Sequence, residues 1–486
     1  MTIQIKEKRS RLVFFLLFSL LLCGAARAQT ATSLKSAQSV FIGSLGTREG
    51  AEDLRRELEA SLQHNHRFKL APAPEQADLV LEGRGELWIR GYDSLSPRAR
   101  SNTAAVEPIY AGFLSLKARG LGGEVLWSYF APPKRISFHD LKHDLVDQVV
   151  TNLLSEIDKG AATIQSAAAP AGTAETLRGA GATFPFPIYQ DWFAAFHLKY
   201  PDWRLDYSPI GSEAGLEQLA SNTVDFAGSD ILPGSQSTPG PDDNVRHFPS
   251  VGGAIVLTYN LPKFNGELRL TGKTIADIFS GEITRWNDPR LRELNHKVSL
   301  PNAAITIVHR ADGSGTTYAF TDYLSQASET WKKKPGTGAR VTWPAGIEAE
   351  GNAGVARSVA ATPYSIGYVE FIYAFENRLP SAFVQNAQGR FMQADLPSIA
   401  AAAEAVSDAG PATLSIANSA SADAYPISTF SWILFRNQLP PGKRTAMLRF
   451  IEWMLTSGQR ECSALGYAPL PKKMVIRELA AARSLE

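Results

Sequence analysis

Three turns in this sequence gather glycine, hydroxyl and charged residues: GAGATFP at 179–185, GSEAG at 211–215 and RADGSGT at 310–316. Each stands ahead of a helix-like stretch (188–200, 216–220 and 317–324), and the last two follow strand-like ones (207–211 and 305–308). Glycine lets backbone N–H groups turn inward, and the free N–H groups of a helix N-terminus carry partial positive charge. Turns of this kind hold oxyanions when several converge. Arg310 and Asp312 precede the third turn directly, and Asp230 closes another apolar segment, DFAGSD at 225–230. None of the turns is a nucleotide P-loop, because the G-x-x-x-x-G-K-[ST] spacing is missing from them. Taken singly, a Gly-Ser-Gly turn is only a turn; the chemistry depends on convergence.

The elements that must bring the turns together fall into two units. A first α/β module spans 31–160. It has strand-like segments at 40–43, 68–71, 78–81, 85–89, 111–118 and 124–130, and helix-like segments at 49–63 and 140–158. In 111–118, Leu114, Leu116 and Ala118 alternate with Ser115 and Lys117. His64-Asn65-His66 does not form a metal pair, since side chains two apart on a helix diverge. An Ala/Gly/Ser/Pro-rich tether follows at 161–175, and residues 176–486 make the larger unit. There, 254–260 and 426–434 are proposed as crossover strands between two lobes, one built from 176–255 with 430–486 and the other from 260–425. Trp192, Trp286, Trp343 and Tyr425 read as core residues. The Ala/Ser-rich stretch 396–424 reads as a weak helix and a loop.

Composition narrows the function. The chain has 486 residues, 44% hydrophobic and 20% charged, with a formal net charge of +1, which argues against holding nucleic acid by excess positive charge. Two cysteines, Cys23 and Cys462, exclude a disulfide scaffold and a Cys-rich metal site. At the N-terminus, Lys6, Lys8, Arg9 and Arg11 precede the apolar run 12–23 and the small-x-small site Ala26-Arg27-Ala28. This is the pattern of a signal peptide over 1–28, too short in its apolar part to span a bilayer as an ordinary helix. The mature chain would carry 44 basic and 47 acidic residues.

Residues 176–486 resemble the phosphate-binding protein of bacterial phosphate ABC transporters. The resemblance rests on GAGATFP (179–185), NTVDFAGSD (222–230), FPSVGG (248–253), TIADIFSGEITRWN (274–287), RADGSGT (310–316), GNAGV (351–355), IGYVE (366–370) and YPI (425–427), in that order. It implies an α/β, bilobal, type II-like periplasmic-binding-protein fold, here preceded by a smaller α/β domain. Carried over by position, the phosphate ligands are Thr183, the backbone of Phe184, Ser212, Asp230, Arg310, Ser314, Gly315 and Thr316, with Asp312 orienting Arg310. Glu213 departs from the small residue of well-known members, and is expected to turn its carboxylate outward. The N-terminal module is a larger departure; it loosely resembles small envelope α/β domains.

The resemblance implies a periplasmic protein that binds inorganic phosphate and delivers it to an ABC permease of the inner membrane, with no cofactor. The alternative is a phosphate-sensing or envelope-interaction protein whose residues 31–160 hold an unknown protein partner. An enzyme is not expected. Ser212 and Ser314 have no evident histidine partner, and the eight histidines lack metal-ligand spacing. N-terminal sequencing of the exported protein should begin at Gln29; a start upstream of it would show that the apolar segment is retained as an anchor.

Overall fold

The two strand-like segments 78–81 and 85–89 belong to one long strand. In the computed structural model, which describes residues 33–94, 106–132, 138–158, 174–232, 234–235, 244–408 and 415–485, strand β3 runs Leu79–Ser94. A Cβ on Gly83 would stand 1.9 Å from the Ser115 carbonyl oxygen, so glycine permits close approach to the next strand. The signal segment 1–28 with Cys23, and residues 161–173 of the tether, lie outside the described residues.

The module is a five-stranded sheet ordered β2-β1-β3-β4-β5, where β1 is Ser39–Ile42, β2 Lys69–Leu70, β4 Val106–Arg119 and β5 Val125–Ala131. Helices Ala51–Asn65 and Phe138–Asp158 cover one face, burying Leu54, Leu58, Leu62, Leu141, Leu145, Val149 and Leu153 against Leu114, Leu116 and Ala118. The opposite face is covered as well. Phe113, Ser115 and Lys117 are buried beneath the larger unit, and Trp88, Phe113 and Phe130 join that unit's core. This face, which would otherwise be open to a separate protein partner, is occupied by the chain itself.

The larger unit is built on an eight-stranded sheet ordered β12-β11-β13-β9-β16-β8-β6-β7. Its strands are β6 (Glu175–Gly181), β7 (Trp203–Ser208), β8 (Phe226–Ser229), β9 (Val245–Asn260), β11 (Thr306–Arg310), β12 (Ile347–Ala349), β13 (Ser365–Glu370) and β16 (Ser428–Arg436). A small sheet of β10 (Arg269–Leu270), β14 (Phe383–Gln385) and β15 (Phe391–Met392) lies in the second lobe.

Strand β9 is the first crossover. Its residues 245–254 pair with β16, and its residues 255–260 pair with β13, so the two lobes share one strand. The return crossing differs from the sequence expectation. Strand β16 pairs on both edges with first-lobe strands, so the chain crosses back just before Ser428, not along 426–434. There the Ile255 N–H donates to the Ile427 carbonyl (2.8 Å), and the Tyr425 hydroxyl donates to the Ile255 carbonyl (3.2 Å).

Trp192, Trp286 and Tyr425 are fully buried, and Trp343 packs against the same core. The helix in 396–424 is Leu396–Glu404, started by a capping box between Asp395 and Ser398. Residues 409–414 of that stretch lie outside the described residues.

Phe184 is buried with its ring against Gly253 of β9, so the first anion turn is braced on the crossover strand. A Cβ at Gly253 would stand 2.5 Å from that ring. Gly253→Ala should therefore lower stability by about 1–3 kcal/mol through overpacking, measured by guanidinium unfolding.

Candidate functional site

The three turns converge because their backbones are tied to one another. In the first lobe the Ala182 N–H donates to the Gly228 carbonyl (2.8 Å), and the Gly211 N–H donates to the Gly181 carbonyl (2.9 Å). Gly181 and Gly211 hold φ of 139° and 96°, which side-chain-bearing residues rarely adopt. Helix Ser212–Ala220 begins at Ser212 itself, four residues earlier than the sequence suggests, so the serine stands on the first helical position. Asp230 follows β8 directly and caps no helix. In the second lobe, β11 ends on Arg310, and Ser314 caps helix Gly315–Ala327 by accepting from the Thr317 N–H (3.1 Å).

The lobes are closed on each other. The Glu213 N–H donates to the Gly313 carbonyl (3.1 Å), and a Cβ on Gly315 would stand 2.4 Å from Ser212 Oγ and 2.7 Å from Asp230 Oδ2. Glu213 turns its carboxylate out of the cleft, as expected, and accepts from Arg340 Nε at 2.5 Å across the lobes. Thr183, Ser212, Asp230, Arg310, Ser314 and Thr316 are all buried here.

Arg310 is fixed by Asp312, which accepts from its Nε (2.6 Å) and also from Nη2. Burial works to raise the Asp312 pKa, but the hydrogen bonds and charge of Arg310 leave it below the usual carboxylate range. Asp230 is the reverse case. Burial pushes it up to about 7, against the opposing pull of the Ser431 hydroxyl, which donates to Oδ1 at 2.7 Å, and of Arg310.

Asn352, on the N-terminal turn of helix Gly351–Ala361, is a residue that the turn pattern alone does not flag. Its Oδ1 accepts from the Glu370 backbone N–H (2.9 Å), which fixes the amide orientation because a backbone N–H can only donate. Its Nδ2 therefore donates, to Thr183 Oγ1 (3.0 Å) and Thr316 Oγ1 (3.2 Å), joining the lobes.

Each of the hydroxyls of Thr183, Ser212, Ser314 and Thr316 thus accepts a bond from the protein. Thr183 also accepts from the Asn352 N–H (3.3 Å), Thr316 from Arg310 Nη1 (3.3 Å), Ser212 from the Asp230 N–H (3.3 Å) and Ser314 from the Thr317 N–H. Among the described residues none of these four hydroxyls donates to a protein acceptor, so their protons are left for a ligand. The carbonyls of Thr183 and Phe184 are engaged by the hydroxyls of Tyr373 (2.7 Å) and Tyr467 (2.6 Å), which donate to them.

Asn352 lies in the GNAGV motif, which carries the resemblance without assigning the residue a role. Ser431 is betrayed only by being a hydroxyl inside an apolar strand; Tyr373 has no local signal.

A family model described as a PBP superfamily domain matches residues 166–457. The phosphate-binding protein PstS of Pasteurella multocida is 39% identical over 306 residues, covering 62% of this chain and 88% of the relative. PstS of Haemophilus influenzae is 40% identical over 311 residues, covering 63% of this chain and 92% of the relative. Among solved structures, a high-affinity periplasmic phosphate-binding protein (PfluDING) with bound phosphate superposes with a TM-score of 0.50 at 19% identity, over 63% of this chain and 93% of that one. The chain belongs to the PBP superfamily and, within it, to the substrate-binding proteins of phosphate ABC transporters, which are not enzymes. Its larger unit has the bilobal type II-like fold of that class.

Replacing the amide donor of Asn352 by an acceptor should turn the Thr183 and Thr316 hydroxyls away from the ligand. Asn352→Asp should weaken phosphate binding in calorimetry by about 3 kcal/mol or more, at least a hundredfold.

Proposed function

From that membership and from the donors gathered in the cleft, we propose that this chain binds inorganic phosphate in the periplasm and delivers it to an ABC permease. The ligands are Thr183, Phe184 through its N–H, Ser212, Asp230, Arg310, Ser314, Gly315 through its N–H, and Thr316. Asp312 holds the Arg310 guanidinium in place. Closure of the lobes around the ion produces the form presented to the permease.

The observation that carries this reading is Asp230, a fully buried carboxyl among hydroxyl, amide and guanidinium donors. An ionised carboxylate can only accept hydrogen bonds, so it suits an oxyanion that still has a proton to give. Phosphate has one near neutral pH and sulfate has none. With sulfate, two sets of lone pairs and two negative charges would face each other in a buried site. The donors supply attraction for either anion, while Asp230 supplies the discrimination.

The raised pKa sets the pH dependence. Below about 7 the ligand-free carboxyl is protonated and must lose its proton before it can accept one from phosphate. Phosphate binding should therefore release protons at pH 6, shown by calorimetry in buffers of different ionisation enthalpy, and weaken as the pH falls further. Sulfate should gain, because a protonated carboxyl can donate to it.

Competition titrations with both anions test the assignment. Asp230→Asn should narrow the phosphate-to-sulfate affinity ratio at pH 8 by at least tenfold. A ratio equal to that of the wild type would contradict the role given to Asp230.

A further inference from the structure

The N-terminal module lies across the mouth of the anion cleft, and its polar sheet face is fastened to both lobes. On the first lobe, Lys117 is held between Asp191 (2.6 Å) and Glu461 (3.2 Å). The Ala464 N–H donates to Ser128 Oγ (3.2 Å), and the hydroxyls of Ser115 and Ser128 donate to the Ala464 and Arg460 carbonyls. On the second-lobe side, Arg84 bonds Glu376 (2.8 Å), and Glu86 accepts from Arg378 Nε (2.8 Å), whose guanidinium lies 5.5 Å from the Trp88 ring centroid. Phe130 meets Phe371 and Phe375 edge-on, with centroids 6.0 and 5.2 Å away.

Lys117 and Glu86 are both buried, so these are seated contacts and not loose surface pairs. Between the module and the two lobes is a cavity of about 850 Å³. Its walls include Arg84 and Lys117 of the module, Phe186 and Ile210 of the first lobe, and Asp312 and Asn352 of the second. Thr183 also reaches it, so the cavity adjoins the anion site.

We infer that the module is a strap over the cleft: it walls the vestibule beside the anion site and, being anchored on both lobes, restrains them from parting. This rests on phosphate being the occupant. Opening bends the chain where β9 and the segment before β16 cross between lobes. A rigid five-stranded sheet joined to both sides of that bend resists it unless one set of anchors lets go. The strap therefore slows phosphate exchange, in entry and in release, and its second-lobe anchors, which are side-chain contacts only, are the ones that yield.

The test is the rate of phosphate release from the full-length mature protein, followed by stopped flow against a phosphate scavenger. Arg84 and Arg378 have side chains about half exposed, and Glu86 keeps its bond to Arg48 (2.7 Å) when Arg378 is removed. The Arg84→Ala/Arg378→Ala double variant should fold and release phosphate at least tenfold faster than wild type. Small-angle scattering of the phosphate-stripped proteins gives a second readout that needs no ligand, with the double variant more extended than wild type. A folded double variant whose release rate is within twofold of wild type, and whose scattering is unchanged, would overturn the strap. Absence of phosphate binding by the stripped wild type in calorimetry would overturn the phosphate reading along with it, and that titration is done first.

Discussion

A carboxylate buried beside an anion is unfavourable on charge and on hydrogen bonding unless a proton lies between them. Much of this structure serves to place Asp230 in that position. Asp230 directly follows strand β8, Ser431 of the neighbouring β16 occupies one of its oxygens, and the charge of Arg310 acts on it from the other lobe. Burial raises its pKa to about 7, where a small change in surroundings decides whether it accepts or donates. In the function proposed here, selectivity follows from that single group more than from the count of donors around it.

The donors are prepared in a complementary way. A hydroxyl can donate one bond, and its direction is free until its lone pairs are engaged. Here Asn352, Arg310 and backbone N–H groups engage both lone pairs of the Thr183 and Thr316 hydroxyls and one each of Ser212 and Ser314, which narrows the directions their protons can take before a ligand arrives. Such preorganisation lowers the ordering cost of binding. The same Asn352 amide spans the two lobes, as does the Glu213–Arg340 pair at the rim, so the groups that aim the donors also hold the cleft shut. Glu213 is thus a feature of closure and not an obstacle to an anion.

How much of this is legible in the sequence depends on the range of the contacts. The anion turns are local, and their glycines, hydroxyls and following helices announce them; the ligand set then follows from the resemblance. Asn352 is harder, because its partners are Thr183, 169 residues away, and Thr316, 36 away. Nothing near it in the chain says which way its amide faces. The module shows the same limit from the packing side. The alternation of Leu114, Leu116 and Ala118 with Ser115 and Lys117 correctly separates the two faces of β4, but hydrophobicity cannot tell water from a distant, polar-bonded surface of the same chain. The segments 78–81 and 85–89 read locally as two strands, and they join as β3 through Gly83, which serves close pairing with β4.

The proposed function requires a phosphate-selective site already assembled in this chain. Isothermal titration of the mature protein tests it most directly, after unfolding and refolding to strip carried-over ligand, with phosphate and separately with sulfate at pH 8. Tight 1:1 binding of phosphate with little or no heat from sulfate is the predicted result. Equal binding of the two anions, or none by the refolded protein, would contradict it.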